Sequence, residues 1–247
     1  MTMIDSHNHI HFREFRKDLH EVMHRAAAGG MKAMLAVGID PKDCGRALDI
    51  AHTYAGVYVA VGIHPQNGGR YTREDVYTLK DLSEDKVVAI GETGFDLYRT
   101  PHSAEEQKDL FIAHIELARQ LKLPLIIHDR MAHEQTVAVL DDGGAWSLGG
   151  VFHCFSGDST LAEIVVSKGF FVSIPGVVTF RNATQLRDVV HRIPLEHLLV
   201  ETDAPYLTPE PYRGKRNEPV YTGKTIEEIA RIKGVSPDEV ADRTTEN

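Results

Sequence analysis

Short apolar runs alternate along this chain with longer stretches in which apolar positions recur at helical spacing. The runs cover residues 3–9, 33–39, 57–64, 87–92, 123–128, 150–155, 170–174 and 198–203, most of them rich in Val, Ile, Leu or Phe. Strands buried on both faces read as near-continuous apolar runs, so the pattern predicts eight parallel strands. The clearest stretch between runs is 104–121, where Leu110, Phe111, His114, Leu117, Ala118 and Leu121 follow the i, i+3, i+4, i+7 rhythm of a helix packed on one side. Lys122-Leu123-Pro124 ends it. Asp40-Pro41 supplies an N-cap and first-turn proline for another helix, and Asp158 and Ser159 can cap the one after the sixth run. Eight β-then-α units in 247 residues predict an α/β protein, a single (β/α)8 TIM-like barrel forming one domain over residues 1–247.

Composition narrows this picture. A hydrophobic share of 42% with 26% charged residues is that of a globular chain with a sizeable core. No apolar run approaches the ~20 residues that span a bilayer, and Met3-Ile4 leads straight into Asp5 without a signal-like segment, so a cytoplasmic protein with no membrane association is expected. Cys44 and Cys154 are too few for a disulfide framework and read as small core residues. The formal charge of −9 argues against a broad electrostatic grip on nucleic acid, so an anionic substrate has to be held locally. The least regular stretch, 208–220, carries Arg213, Lys215 and Arg216. The chain stops shortly after a helix-like 237–243, which is compatible with a natural tail beyond Asn247.

Candidate chemistry begins at Asp5-Ser6-His7-Asn8-His9. In an extended strand His7 and His9 project to one side, about 7 Å apart along the backbone, where two neutral imidazoles can grip one divalent cation. Further candidates end other runs: Glu92 the fourth, His128 the fifth, Asp203 the eighth, with His153 in the sixth. Parity puts Val88, Ile90 and Glu92 on one face, Ile126 with His128, and Leu199, Glu201 and Asp203 together, with Glu201 a layer deeper. In a barrel all of these open on one mouth. Taken singly, a strand-end His or Asp is usually a satisfied polar residue; six at one expected mouth point to metal. Four neutral histidines and two carboxylates leave two negative charges, and two divalent ions bring four positive ones, a balance suited to an anionic substrate and to hydrolysis. His11, His102 and His133 read as surface or loop histidines.

These residues fall in an order that resembles a known family. His7-x-His9, Gly91-Glu92-Thr93-Gly94-Phe95-Asp96, Ile127-His128-Asp129-Arg130, Phe152-His153-Cys154-Phe155-Ser156-Gly157, Glu201-Thr202-Asp203-Ala204-Pro205-Tyr206-Leu207 and Gly214-Lys215-Arg216-Asn217-Glu218-Pro219 are similar to the motifs of the TatD metal-dependent deoxyribonucleases of the amidohydrolase superfamily. The resemblance implies a TIM-like barrel with two divalent ions, zinc, manganese or magnesium. His7, His9 and Asp203 would hold one, His128 and His153 the other, and Glu92 would bridge them. Gly62-Ile63-His64-Pro65 resembles a further motif, which would place His64 against substrate or a phosphate; a turn histidine fixed before proline is the alternative. Departures at His11, Thr93 and Phe95 remove no ligand.

The leading expectation is therefore a dinuclear deoxyribonuclease with DNA as substrate, working from strand ends, without an obligate protein partner. Asp203 and Glu92 would act in catalysis, with Glu201 as a further proton-handling carboxylate. Arg130, Arg213 and Arg216 have guanidinium forks suited to phosphate, whereas Lys215 reads as solvated loop charge. Related barrels hydrolyse lactones, amides or phosphotriesters, which keeps a different substrate open. A non-catalytic metal-binding protein is the remaining alternative.

Overall fold

The computed structural model describes residues 1–98 and 102–247. Among the described residues the strands are β1 (Met3–Asn8), β2 (Met31–Val37), β3 (Val57–Val61), β4 (Val87–Asp96), β5 (Leu125–Arg130), β6 (Gly150–Phe152), β7 (Phe171–Ile174) and β8 (Leu198–Val200). The helices are α1 (Leu19–Ala28), α2 (Pro41–Thr53), α3 (Arg73–Thr78), α4 (Ala104–Leu121), α5 (His133–Asp142), α6 (Ser159–Ser167), α7 (Thr184–Arg192), α8 (Thr222–Lys233) and α9 (Pro237–Glu246). The strands form one sheet in the order β1 to β8 with helices between them, a (β/α)8 barrel. Among the described residues no helix is long and apolar enough to cross a membrane.

The chain packs as two compact units. One consists of Met1–Ala36, Cys154–Ser167 and Phe171–Asn247; the other is Val37–His153 with Lys168–Phe170. In the first unit β1 pairs with β2 and β7 with β8, all parallel. Here the last strand meets the first: Asp203 N–H donates to the His7 carbonyl at 2.9 Å and His9 N–H to that of Ala204 at 2.7 Å. In the second unit β3, β4, β5 and β6 pair in turn, again parallel.

Local chemistry explains several elements. Helix α4 starts in a capping box between Ser103 and Glu106 and ends at Lys122, which adopts φ 57°. Its buried face carries Leu110, Phe111, His114, Leu117 and Ala118, as the periodicity requires. Asp40 caps α2 by accepting from Asp43 N–H, and Asp158 accepts from Leu161 N–H at the start of α6.

The strand ends differ from the sequence pattern in an instructive way. Strand β4 does not stop at Glu92 but runs to Asp96, with Gly94 opposite His128 and Asp96 opposite Arg130. Gly91 and Gly94 let β4 lie against β5. Gly91 has φ 143°, and a Cβ there would come within 2.5 Å of the Ile126 carbonyl oxygen. A register shift between Ile90 and Thr93 accompanies them. Strands β6 and β8 end early, at Phe152 and Val200, so His153 and Asp203 sit in the turns beyond. His11 is a loop histidine but not a surface one: it stands in the turn after β1, 3% exposed and packed edge-on to Phe12 at 4.9 Å. His133, the first residue of α5, is held at 2.7 Å by Asp129 of β5, four positions earlier.

Candidate metal centre

The first unit gathers His7, His9 and Asp203. Each offers one ligand atom, and these atoms lie within 4.8 Å of one another. Strand β1 buries His7 completely, and His9, just past its end, stacks on Phe12 at 4.6 Å between ring centroids. Asp203 Oδ1 lies 3.4 Å from His9 Nε2. Its backbone is left-handed, φ 54°, a conformation that costs a non-glycine residue energy and turns the chain directly after β8.

A fully buried carboxylate, Asp5, ties the two ends of this cluster together. It accepts from His7 N–H at 3.3 Å, Asn8 Nδ2 at 3.2 Å, Thr202 N–H at 2.9 Å and Thr202 Oγ1 at 2.6 Å. Burial pushes its carboxyl up to about 7, against the downward pull of the hydrogen bonds from Thr202 and His7. Asn217 extends the brace by donating to the carbonyls of Thr202 at 2.8 Å and Tyr206 at 2.6 Å. Glu201, also buried, accepts from the N–H of Cys154 at 2.8 Å, which fixes the turn that follows His153.

The second unit gathers Glu92, His64, His128 and His153. Glu92 Oε1 lies 2.5 Å from His128 Nδ1, 2.7 Å from His153 Nε2 and 3.2 Å from His64 Nε2. Burial alone would raise the Glu92 carboxyl; the charges of His153 and His64 and hydrogen bonds from His128 and His153 overcome it and hold the group well below the usual carboxylate range. His128 moves up despite its burial because Asp96 and Glu92 both favour the imidazolium. Asp96 Oδ2 lies 3.4 Å from His128 Nε2 and accepts from Gln66 Nε2 at 2.7 Å. The other nitrogen, Nδ1, therefore faces Glu92.

His64 differs from these two. Its Nδ1 accepts from Gln66 N–H at 3.0 Å, so in the neutral ring the proton sits on Nε2, the nitrogen facing Glu92. Burial lowers its pKa and favours that neutral form.

Among the sequence-derived contacts to substrate, the structure puts Arg130 at the end of β5, with its guanidinium 4.4 Å from the Tyr98 ring centre. Arg213 stacks over Phe180 at 4.3 Å. Arg216 is engaged inside the fold, paired with Asp18 at 2.7 Å and Glu218 at 3.0 Å and lying over Phe15. Asp5 and Asp96 escaped notice in the sequence as supports, although both stand inside the motifs quoted above. Their partners are remote, Thr202 lying 197 positions from Asp5.

The donor chemistry fits divalent cations. Imidazole nitrogens and carboxylate oxygens are the ligands zinc and manganese take, and the donor atoms of His7, His9 and Asp203, and of His64, Glu92 and His128, stand within 4.8 Å of one another, close enough to share an ion. A (β/α)8 barrel with such clusters at its strand ends is the frame of a metal-dependent hydrolase. The chain belongs to the TatD related DNase family, which matches residues 4–247. It is 41% identical over 246 residues to a Bacillus subtilis protein described as an uncharacterized metal-dependent hydrolase, YabD, covering 99% of this chain and 96% of that one. It is 35% identical over 241 residues to the 3′-5′ ssDNA/RNA exonuclease TatD of Salmonella typhimurium, covering 95% and 92% of the two chains. The crystal structure of the TatD homologue YJJV from Escherichia coli superposes with a TM-score of 0.92 at 30% identity, covering 99% and 95%.

Proposed function

We propose that this protein is a dinuclear metal-dependent deoxyribonuclease that removes nucleotides from DNA ends. The observation that carries the reading is the pair of buried donor clusters, His7/His9/Asp203 and Glu92/His128/His153, each built at strand ends of a TatD-family barrel. His7, His9 and Asp203 would hold one ion, His128 and His153 the other, and Glu92 would serve both, as the family resemblance implies. Held there, two such ions would supply Lewis-acid polarisation of a phosphoryl oxygen and a more acidic water.

The remaining steps belong to side chains of this chain. Asp203 takes the proton of the attacking water, a role open to a carboxylate placed beside the His9 imidazole at the metal cluster. His64, neutral and protonated at Nε2, holds Glu92 through that N–H at 3.2 Å and would turn it to a phosphate oxygen once Glu92 is engaged by metal. Glu201 keeps the turn beyond His153 in place through Cys154 N–H. Arg130 offers its guanidinium edge to a neighbouring phosphate. The exonuclease name of the Salmonella relative supports an end-directed mode with single strands as the preferred form.

The test is incubation of chelator-stripped and manganese-, zinc- or magnesium-reconstituted protein with end-labelled single- and double-stranded DNA, beside a panel of lactones, amides and phosphotriesters. Metal-dependent shortening of the DNA from one end is expected. Turnover of a small-molecule panel member with DNA left intact would replace the nuclease reading.

A further inference from the structure

Seven large hydrophobic side chains are well exposed among the described residues, and three of them stand together where β4 and β5 end: Leu97 at 36%, Tyr98 at 55% and Met131 at 67%. The two loops are tied by Leu97 N–H donating to the Arg130 carbonyl at 3.0 Å. Met131 is held at φ 56°, outside the range a bulky side chain adopts without compensation, which directs the chain sharply after Arg130. The Arg130 guanidinium lies on the Tyr98 ring, 4.4 Å from its centre.

This surface is coupled to the second donor cluster. Gly94 pairs with His128 and Asp96 with Arg130, so Arg130 stands one same-face step beyond His128, roughly 7 Å along the strand. Tyr98 N–H donates to Asp96 Oδ1 at 2.9 Å, and the other oxygen of that carboxylate lies 3.4 Å from His128 Nε2. The Tyr98 backbone is thus registered to the cluster through one side chain, and the ring is held by the Arg130 guanidinium over it.

We propose that Tyr98, Arg130 and Met131 form a stacking platform for an unpaired nucleobase of single-stranded nucleic acid. The inference rests on the nuclease reading and names what selects its substrate. A tyrosine ring and a guanidinium plane stack on any base, and a flexible thioether adapts to purine or pyrimidine. A base inside a duplex is stacked on both faces, and an end base that is paired is tied to its complement, so the platform favours an unpaired end that can turn onto it. The protein's charge of −9 adds weight: phosphate attraction alone is weak here, and stacking supplies a grip that salt does not screen.

Equilibrium binding tests this without turnover. The probe is a short single strand carrying 2-aminopurine at its 3′ or 5′ end, mixed with metal-stripped protein at low and at 0.5 M salt, roughly where screening removes most phosphate attraction. Wild type and Tyr98→Phe should bind and quench the fluorophore, and Tyr98→Ala should bind about tenfold more weakly, with the quench lost. A strand with an abasic end should bind wild type as weakly as the intact strand binds Tyr98→Ala, an arm that needs no folded variant. Wild type that does not quench, or that binds abasic and intact ends alike, overturns the platform. Stacking without cleavage on metal reconstitution would instead count against the nuclease reading, and cleavage without stacking against the platform alone.

Discussion

Asp203 joins a left-handed backbone to a carboxylate 3.4 Å from His9 Nε2, and the first feature produces the second: the turn swings the side chain back over the end of β1. Asparagine tolerates the left-handed region and keeps one donor oxygen, so Asp203→Asn separates ligation from proton transfer. Metal content should stay near wild type while phosphodiester hydrolysis falls at least ~100-fold, a typical general-base contribution. Wild-type rate in the metal-loaded variant would remove Asp203 from that role. At this scale the sequence was legible where chemistry is local: His7 and His9 two apart, Glu92 within its glycine-flanked motif, His128, His153 and Asp203 near the ends of apolar runs. Hydrogen-bond partners were not legible. Nothing near Asp5 in the chain announces Thr202, and nothing near Asp96 announces that its carboxylate meets His128.

Among the elements, α4 shows how a helix outside the cluster sets part of it. His114 Nε2 accepts from Ile63 N–H at 2.9 Å and Nδ1 donates to the Leu110 carbonyl at 2.7 Å, which anchors the loop that carries His64. Burial lowers the ring to about 4 from its ordinary 6.5, against the bond to Leu110. Below pH 6.5 the unfolded chain takes up a proton that the folded ring refuses, so stability present above that pH is lost as pH falls towards 4. The gap amounts to roughly 3 kcal/mol. Urea unfolding of metal-free protein at pH 7 and pH 4.5 should show His114→Gln losing less stability over that interval than wild type; equal losses would exclude His114 as the source. The loop after β8 carries a second expectation. Arg216 is 27% exposed and paired with Asp18 and Glu218, so Arg216→Ala should cost on the order of 1–2 kcal/mol of folding stability and weaken DNA binding less than Arg130→Ala does. The reverse ranking in a binding titration would assign Arg216 to substrate. The sequence displayed Arg216 as part of a basic loop because its acidic partner Asp18 lies far away in the chain. The end of β4 was missed for a related reason: the strand runs past Glu92 to Asp96 because Gly91 permits its close approach to β5, a partner remote in the chain.

For the whole molecule, alternation of apolar runs with helical periodicity was enough to give the (β/α)8 architecture, because each strand is buried on both faces and each helix on one. What periodicity could not give is closure, which depends on backbone hydrogen bonds between the residues after β8 and those of β1. On the proposed function, a chain of net charge −9 acting on a polyanion would have to concentrate positive charge where the reaction occurs, and cations held by the donor clusters would supply it. The direct measurement is a titration of metal-stripped protein with manganese, following bound metal per chain and release of end label from single-stranded DNA in the same samples. Cleavage should be absent at the start, rise with occupancy, level off at two ions per chain, and be abolished throughout by Glu92→Gln. Full cleavage by the stripped protein, or a fully loaded protein that leaves DNA intact, would contradict a dinuclear nuclease.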